Sequence, residues 1–368
     1  MIIKSMTSMQ DSGIMEAMIS RETTTYTVYD YFAHMLLTSS SSNRRRSTSS
    51  SNISSESDSY FRRRQKRHDN ADVMDPYCRF VMVKWCMSLI RFCNYENRER
   101  MTASIMSNAD RFVSTKEGSY VLYDRERYQL VVMASFYIQA KIQQLKALNP
   151  SSVAKLSRGK FTKDDVERME FEILTALKWH VNPPTSIDFV YELLKKFFND
   201  HINDSDSEDF TMTKTKIIEL VNYQIGEAIC DYELSCLCRP SHVAFAALLN
   251  SLESLRSDDD LVLLQRLNDI DNYSCGDDDQ IIRNIRTALL NAVSSSSSKQ
   301  SGDSHHNQAI STLLSQRISS QNNEDHNIRQ IITTAYTPNN NSTSKTTPNI
   351  TSCTYIHSSP RSVIKKIL

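Results

Sequence analysis

The tightest constraint on this chain is the period of its apolar residues. From Asp75 to Val293 they recur every three or four positions, and no stretch alternates with period two. That pattern specifies helices. Glycine usage agrees: there are six Gly, at 13, 118, 159, 226, 276 and 302, all far apart. No phosphate-cradling loop or dinucleotide fingerprint can be assembled from glycines so spaced. With only eight Pro besides, a chain of short strands and tight turns is also excluded.

The helices can be placed one by one. Asp75-Pro76 reads as an N-cap followed by Pro at the first helical position. The run after it, PYCRFVMVKWCMSLIRFC (76–93), is apolar over most of its circumference, as expected of a central buried helix. Helices follow over roughly 98–114 and 125–146, with a short one at 150–157. Thr162-x-x-Asp165 resembles a capping box and opens a fifth. VNPPT (181–185) breaks the chain, and Thr185-x-x-Asp188 starts again. Beyond an acidic loop, NDSDSED (203–209), helices are expected near 212–233, 240–254, 259–270 and 279–293. The predicted fold class is all-α, with two tandem five-helix sets flanked by disordered N- and C-terminal segments.

The flanks carry less pattern. Residues 1–23 are weakly patterned, and TYTVYDYFAHMLL (25–37) predicts one short helix. Residues 39–67 are Ser-rich, with basic clusters at Arg44–Arg46 and Arg62–Arg67. Such a segment buries too little to offset its ordering entropy. Its clusters read either as a nuclear-import signal or as a solvated linker. Residues 294–368 are Ser/Asn/Thr-rich and read as a disordered tail with transient helices at STLLSQRI and IRQIIT.

Several function classes are disfavoured. Lys+Arg and Asp+Glu both number 43, so overall charge points to no polyanionic partner. The eight Cys form no CxxC pair; Cys236-x-Cys238 has only His242 nearby, so buried free thiols are expected rather than zinc. The nine His are scattered, without HExxH or a paired-carboxylate motif, so neither enzyme chemistry nor a metal or other cofactor is expected. The N-terminus lacks a signal-peptide core, and no run of about 20 apolar residues spans a membrane. The expectation is a soluble protein of a reducing intracellular compartment.

Four charges break this apolar pattern. At about 100° per residue, Glu170 falls in the middle of the stripe Val166, Met169, Ile173, Leu174 and Leu177. Lys141 lies among Leu130, Ala134, Tyr137, Ile138 and Leu145. Arg79 lies beside Val83, Cys86, Ile90 and Cys93, and Asp110 edges the stripe of Ile105, Met106, Ala109 and Val113. A buried charge needs a partner. Either these are ordinary internal ion pairs, or one pair holds the bundle while the other faces another protein.

The same residues carry a resemblance to the cyclin family. Arg79-Phe-Val-Met-Val-Lys-Trp85 resembles the opening helix of the cyclin box, and Asn108-Ala-Asp-Arg-Phe-Val-Ser114 the end of its second helix. Tyr128-Gln-Leu to Ala140-Lys141 is similar to the third. Phe161-Thr-Lys-Asp-Asp-Val-Glu-Arg-Met-Glu170, with Leu174, Leu177 and Trp179, is similar to the fifth. Five recurring family positions match Arg79, Asp110, Leu130, Lys141 and Glu170. A weaker echo, Cys238-Arg-Pro-Ser-His-Val-Ala-Phe-Ala-Ala247, resembles the entry to a second cyclin fold.

The resemblance implies an N-terminal segment over 1–75, a cyclin box over 76–182, a second cyclin fold over 183–293 and a tail over 294–368. It implies a non-catalytic regulator that binds and activates a cyclin-dependent protein kinase, in the nucleus and/or cytoplasm, without membrane or direct nucleic-acid contact. Lys141 and Glu170 would face the kinase, Arg79 and Asp110 would form an internal ion pair, and Leu130 would belong to the box core. A second surface, matching Cys78, Val81, Met82, Trp85, Arg125 and Gln129, would dock kinase substrates or inhibitors carrying Arg-x-Leu segments. Two departures bear on that groove: Cys78 replaces a common Met, and Ser88 stands where an acidic residue usually meets the Arg. A rival reading is a cyclin-fold transcriptional adaptor, which would need a basic face on a folded helix. Arg286-x-x-Leu289 has the letters of a destruction motif but lies in a predicted helix.

Overall fold

The computed structural model describes residues 2–35, 73–95, 97–143, 148–198, 208–255 and 279–297. Among them every regular element is helical. In chain order these are α1 (Ile2–Thr24), α2 (Pro76–Phe92), α3 (Arg98–Ser114), a 3₁₀ turn (Ser119–Tyr123), α4 (Arg125–Ile142), α5 (Pro150–Lys155) and α6 (Lys163–Ala176). There follow α7 (Ser186–Phe198), α8 (Glu208–Cys230), a π-helical turn (Glu233–Leu237), α9 (Pro240–Leu255) and α10 (Asp279–Ser297). The all-α expectation holds. The expected helix at 259–270, the Ser-rich linker at 39–67, most of the acidic loop and the tail beyond 297 lie outside the described residues. No described helix is long and apolar enough to cross a membrane.

The chain divides into two compact units. Among the described residues, one is built from 2–192 together with Ile229–Ser241, the other from Leu193–Ala228 and the helices from His242 to Ser297.

In the first unit α4 is the central helix. Every residue from Leu130 to Ala140 is buried, and α2, α3, α5 and α6 all pack against it. This corrects the expectation that 76–93 is the central helix. α2 buries Cys78, Met82, Val83, Cys86, Leu89 and Ile90 but leaves Tyr77 and Phe80 exposed. A helix apolar all round reads the same in sequence whether its last face is covered or bare.

The helix ends follow their sequence signals. The Asp75 carboxylate accepts the Cys78 N–H at 2.7 Å, and Thr162 and Asp165 complete the capping box that opens α6. Between α3 and the 3₁₀ turn, a Cβ on Gly118 would lie 2.1 Å from the Phe112 carbonyl oxygen, so no larger residue fits that turn unshifted.

The N-terminal segment corrects a second expectation. Residues 2–24 form one helix, α1, and 25–37 is not a single helix: of its described residues, 25–35, the first six are irregular and 31–35 are helical. The reason is tertiary. Met15 and Glu22 of α1 are buried, and Glu22 accepts hydrogen bonds from the Ser241 N–H at 3.0 Å and the Ser241 hydroxyl. Tyr31 and Phe32 are buried against Tyr232, at 5.1 and 4.7 Å between ring centroids.

In the second unit a buried polar chain links three helices. The Gln224 amide of α8 donates to the Ala247 carbonyl at 3.1 Å and to the Ser251 hydroxyl at 2.9 Å. Asn250 of α9 donates to the Gln224 side chain at 3.0 Å and accepts from Arg286 of α10 at 2.9 Å. Arg286 also pairs with Glu253 at 2.6 Å. Leu220, Leu290 and Val293 pack beside it.

Candidate functional site

The buried carboxylate of α6 has its partner on the neighbouring helix. Glu170 lies among Val166, Met169, Ile173 and Leu174, all buried. Its carboxylate pairs with the Lys141 ammonium from the last turn of α4, the helix against which α6 packs. The pair is lopsided: the Lys141 side chain is 48% exposed and the Glu170 side chain 11%. The ammonium also stands 4.7 Å from the centroid of the Tyr137 ring. Burial, then the nearby Glu170 charge, push the Tyr137 hydroxyl above its ordinary pKa. Glu170 therefore has a partner within the chain, and that partner has one side in water.

Three apolar side chains of α4, α6 and the residues that follow α6 are exposed. Ile142 is 38% exposed, Phe171 65% and Trp179 68%. Lys178 and Trp179 end α6 with left-handed backbone, φ 51° and 64°, a conformation that costs a non-glycine residue free energy. Apart from the weight given to Trp179 in the resemblance, the sequence reading missed these three. The available signal was an apolar side chain standing outside its helix's buried stripe.

The other two charges are wholly internal. Arg79 Nε and Nη2 donate to the Asp110 carboxylate at 2.9–3.2 Å. Nη1 reaches the Ile229 carbonyl at 2.9 Å, and Nη2 also donates to the Ser235 hydroxyl at 2.7 Å. Asp110 also accepts from the Tyr31 hydroxyl at 2.9 Å and the Cys236 thiol at 3.2 Å. Burial alone would lower the Arg79 pKa, but the Asp110 charge overcomes it and holds the guanidinium well above its ordinary value. Burial pushes the Tyr31 hydroxyl and the Cys236 thiol well up, so both stay protonated donors. One carboxylate thus joins α2, α3, the N-terminal segment and the π-helical turn.

Next to it, Arg111 is also buried, with its guanidinium on the His180 carbonyl at 2.6 Å and 4.6 Å from the Tyr26 ring centroid. Burial lowers its pKa to about 10, so it stays charged at neutral pH.

The expected groove residues separate into two kinds. Cys78 and Met82 are buried, as is Leu130 of the core. Val81, Trp85 and Gln129 are half-buried, and Trp85 meets Phe136 edge-on at 6.5 Å. Arg125 is held by the Val73 carbonyl at 2.7 Å and Asp75 at 2.9 Å. The Ser88 hydroxyl turns back to the Lys84 carbonyl at 2.8 Å. Of the described cysteines, 78, 86 and 236 are buried and 93, 230 and 238 half-buried, all as free thiols.

Comparison with known proteins adds a family. The family described as "Cyclin, N-terminal domain" matches residues 16–182. The chain is 29% identical over 163 residues to a G1/S-specific cyclin-E of Caenorhabditis briggsae, covering 43% of this chain and 29% of that protein. It is 25% identical over 180 residues to a G2/mitotic-specific cyclin-2 of Antirrhinum majus, covering 49% of this chain and 36% of that protein. The match spans about a third of the length of these curated relatives. A viral cyclin from herpesvirus saimiri superposes with a TM-score of 0.44 at 19% identity, over 60% of this chain and 87% of that one, too loosely to add to the sequence match.

Proposed function

This is a cyclin-box protein, and from that premise we propose that it is a non-catalytic subunit that binds and activates a cyclin-dependent serine/threonine protein kinase in cell-cycle control. The observation that carries the reading is the Lys141–Glu170 pair, half in water, with exposed Ile142 and Phe171 next to its two members along the chain. A partner that covered them would desolvate the pair and gain apolar burial together.

The kinase needs its own Lys–Glu ion pair formed, with its regulatory helix in place, before phosphoryl transfer proceeds. A partner that binds only that arrangement shifts the kinase population toward it. Truncating Lys141 or Glu170 leaves the other polar group unpaired at a buried interface, a loss of about 2–5 kcal/mol. In this reading the cyclin box spans 76–182 and a second cyclin fold spans 183–293, with the protein acting in the nucleus and/or cytoplasm.

The test is affinity purification of wild type beside Lys141→Ala/Glu170→Ala, assayed for histone phosphorylation. Wild type should bring down kinase activity and the double variant little. Equal activity from both would remove the pair from the interface. No activity from wild type would remove the kinase reading itself.

A further inference from the structure

The Lys141 ammonium is held from two sides. Across the helix pair it meets the Glu170 carboxylate. On its own helix it stands 4.7 Å from the centroid of the Tyr137 ring, inside the roughly 6 Å reach of a cation–π contact. Tyr137 precedes Lys141 by one helical turn in α4, so the two side chains are neighbours on one face. The ring is anchored: Tyr137 is 8% exposed, in a run where every residue from Leu130 to Ala140 is buried. The ammonium is not anchored in that way, because the Lys141 side chain is 48% exposed. An ion pair with one partner half in water is weakly held and is screened by salt. A ring already fixed in the core offers the cation a second seat with no side-chain freedom left to lose.

We propose that Tyr137 is a positioning residue: its ring seats the Lys141 ammonium beside Glu170 and so presents a preset cation to the partner that covers the pair. The inference rests on the kinase reading above. A lysine carries its charge on a long flexible stem, and immobilising that stem at an interface costs conformational entropy. An ammonium already seated on a fixed ring gives up less on docking. Losing the ring therefore weakens docking although every atom of the ion pair is still present. The role belongs to the ring face and not to the phenol oxygen. Phenylalanine keeps the face, and leucine fills much of the space without one. Tyr137→Phe and Tyr137→Leu thus separate, and the difference between them vanishes when residue 141 carries no charge.

Two measurements on the full chain test it, one of them without a kinase. In NMR of the chain carrying isotope-labelled lysine, the ring should shift the methylene next to the Lys141 ammonium upfield, with Lys141→Gln identifying the signal. The shift should persist in Tyr137→Phe and vanish in Tyr137→Leu. In a titration of purified cyclin-dependent kinase, Tyr137→Phe should activate as wild type does. Tyr137→Leu should need about threefold to tenfold more protein for half-activation. In the Lys141→Gln background Tyr137→Leu should change nothing further, whereas a ring that only packs would matter equally there. An unshifted wild-type signal overturns the proposal even if Tyr137→Leu does not fold. Equal half-activation by Tyr137→Leu and wild type, or the same loss with and without the Lys141 charge, also overturns it. Each of these results leaves activation by wild type, and with it the kinase reading, intact. A wild type that activates no kinase overturns the kinase reading and this role together.

Discussion

The Arg79 guanidinium meets the Asp110 carboxylate at 2.9 Å with 0% and 2% of the two side chains exposed. Removing one partner of such a pair strands a buried charge, at a cost of about 3–5 kcal/mol. Arg79→Ala should therefore lower the stability of the chain by that amount, read from the urea midpoint at constant slope. Arg79→Met/Asp110→Leu should recover part of the loss, because no charge is then left behind. A loss below about 1 kcal/mol in Arg79→Ala, the range of surface pairs, would contradict a load shared between α2, α3 and the π-helical turn.

Glu22 predicts a pH dependence. Burial raises its carboxyl above the ordinary value of 4.5, only partly offset by the bonds from Ser241. The folded-state pKa thus exceeds the unfolded one. The proton-linked contribution is fully present below pH 4.5 and is lost as pH rises through the folded value. Against Glu22→Gln, which cannot ionise, wild type should gain relative stability as pH falls from 7, with the difference flattening below about 4.5. Urea midpoints of both proteins across that range check it, since every other titrating group is common to both. A difference independent of pH would mean that Glu22 keeps its solution behaviour.

In the second unit Asn250 donates to Gln224 and accepts from Arg286. Asn250→Ala should cost about 1–3 kcal/mol, because the buried Gln224 oxygen loses its donor. The same packing bears on Arg286-x-x-Leu289. Leu289 is fully buried and Arg286 is held by Glu253 and Asn250. Leu289→Ala should therefore act as a core truncation of about 2–5 kcal/mol, visible in thermal unfolding. Unchanged thermal stability would mean that the motif is available in the folded chain.

Much of the first unit was legible in sequence because its signals are local. The Asp75-Pro76 start, the Thr162/Asp165 box and the stripe around Glu170 all lie within one or two turns of the residues they govern. Lys141 could be suspected from its face, but its pairing with Glu170 came only with the family resemblance. Three features were not legible. The period of α1 is faint in sequence, and its docking through Glu22 depends on Ser241, far along the chain. Arg79 bonds Ile229 and Ser235, and no periodicity links residues that distant. The bare face of α2 looked like core because apolar character does not reveal what covers it.

The central claim is that the Lys141–Glu170 pair is an interface and not a support. Loss of Glu170 leaves behind a Lys141 already half in water, so it should cost the fold about 1 kcal/mol or less. The most direct measurement is activation of a purified cyclin-dependent kinase titrated with wild type and with Glu170→Ala, with thermal unfolding of both proteins recorded alongside. The account predicts a half-activation concentration at least tenfold higher for Glu170→Ala, with its unfolding temperature within a few degrees of wild type. Equal activation curves, or a loss of activation that follows a collapse of the fold, would contradict it.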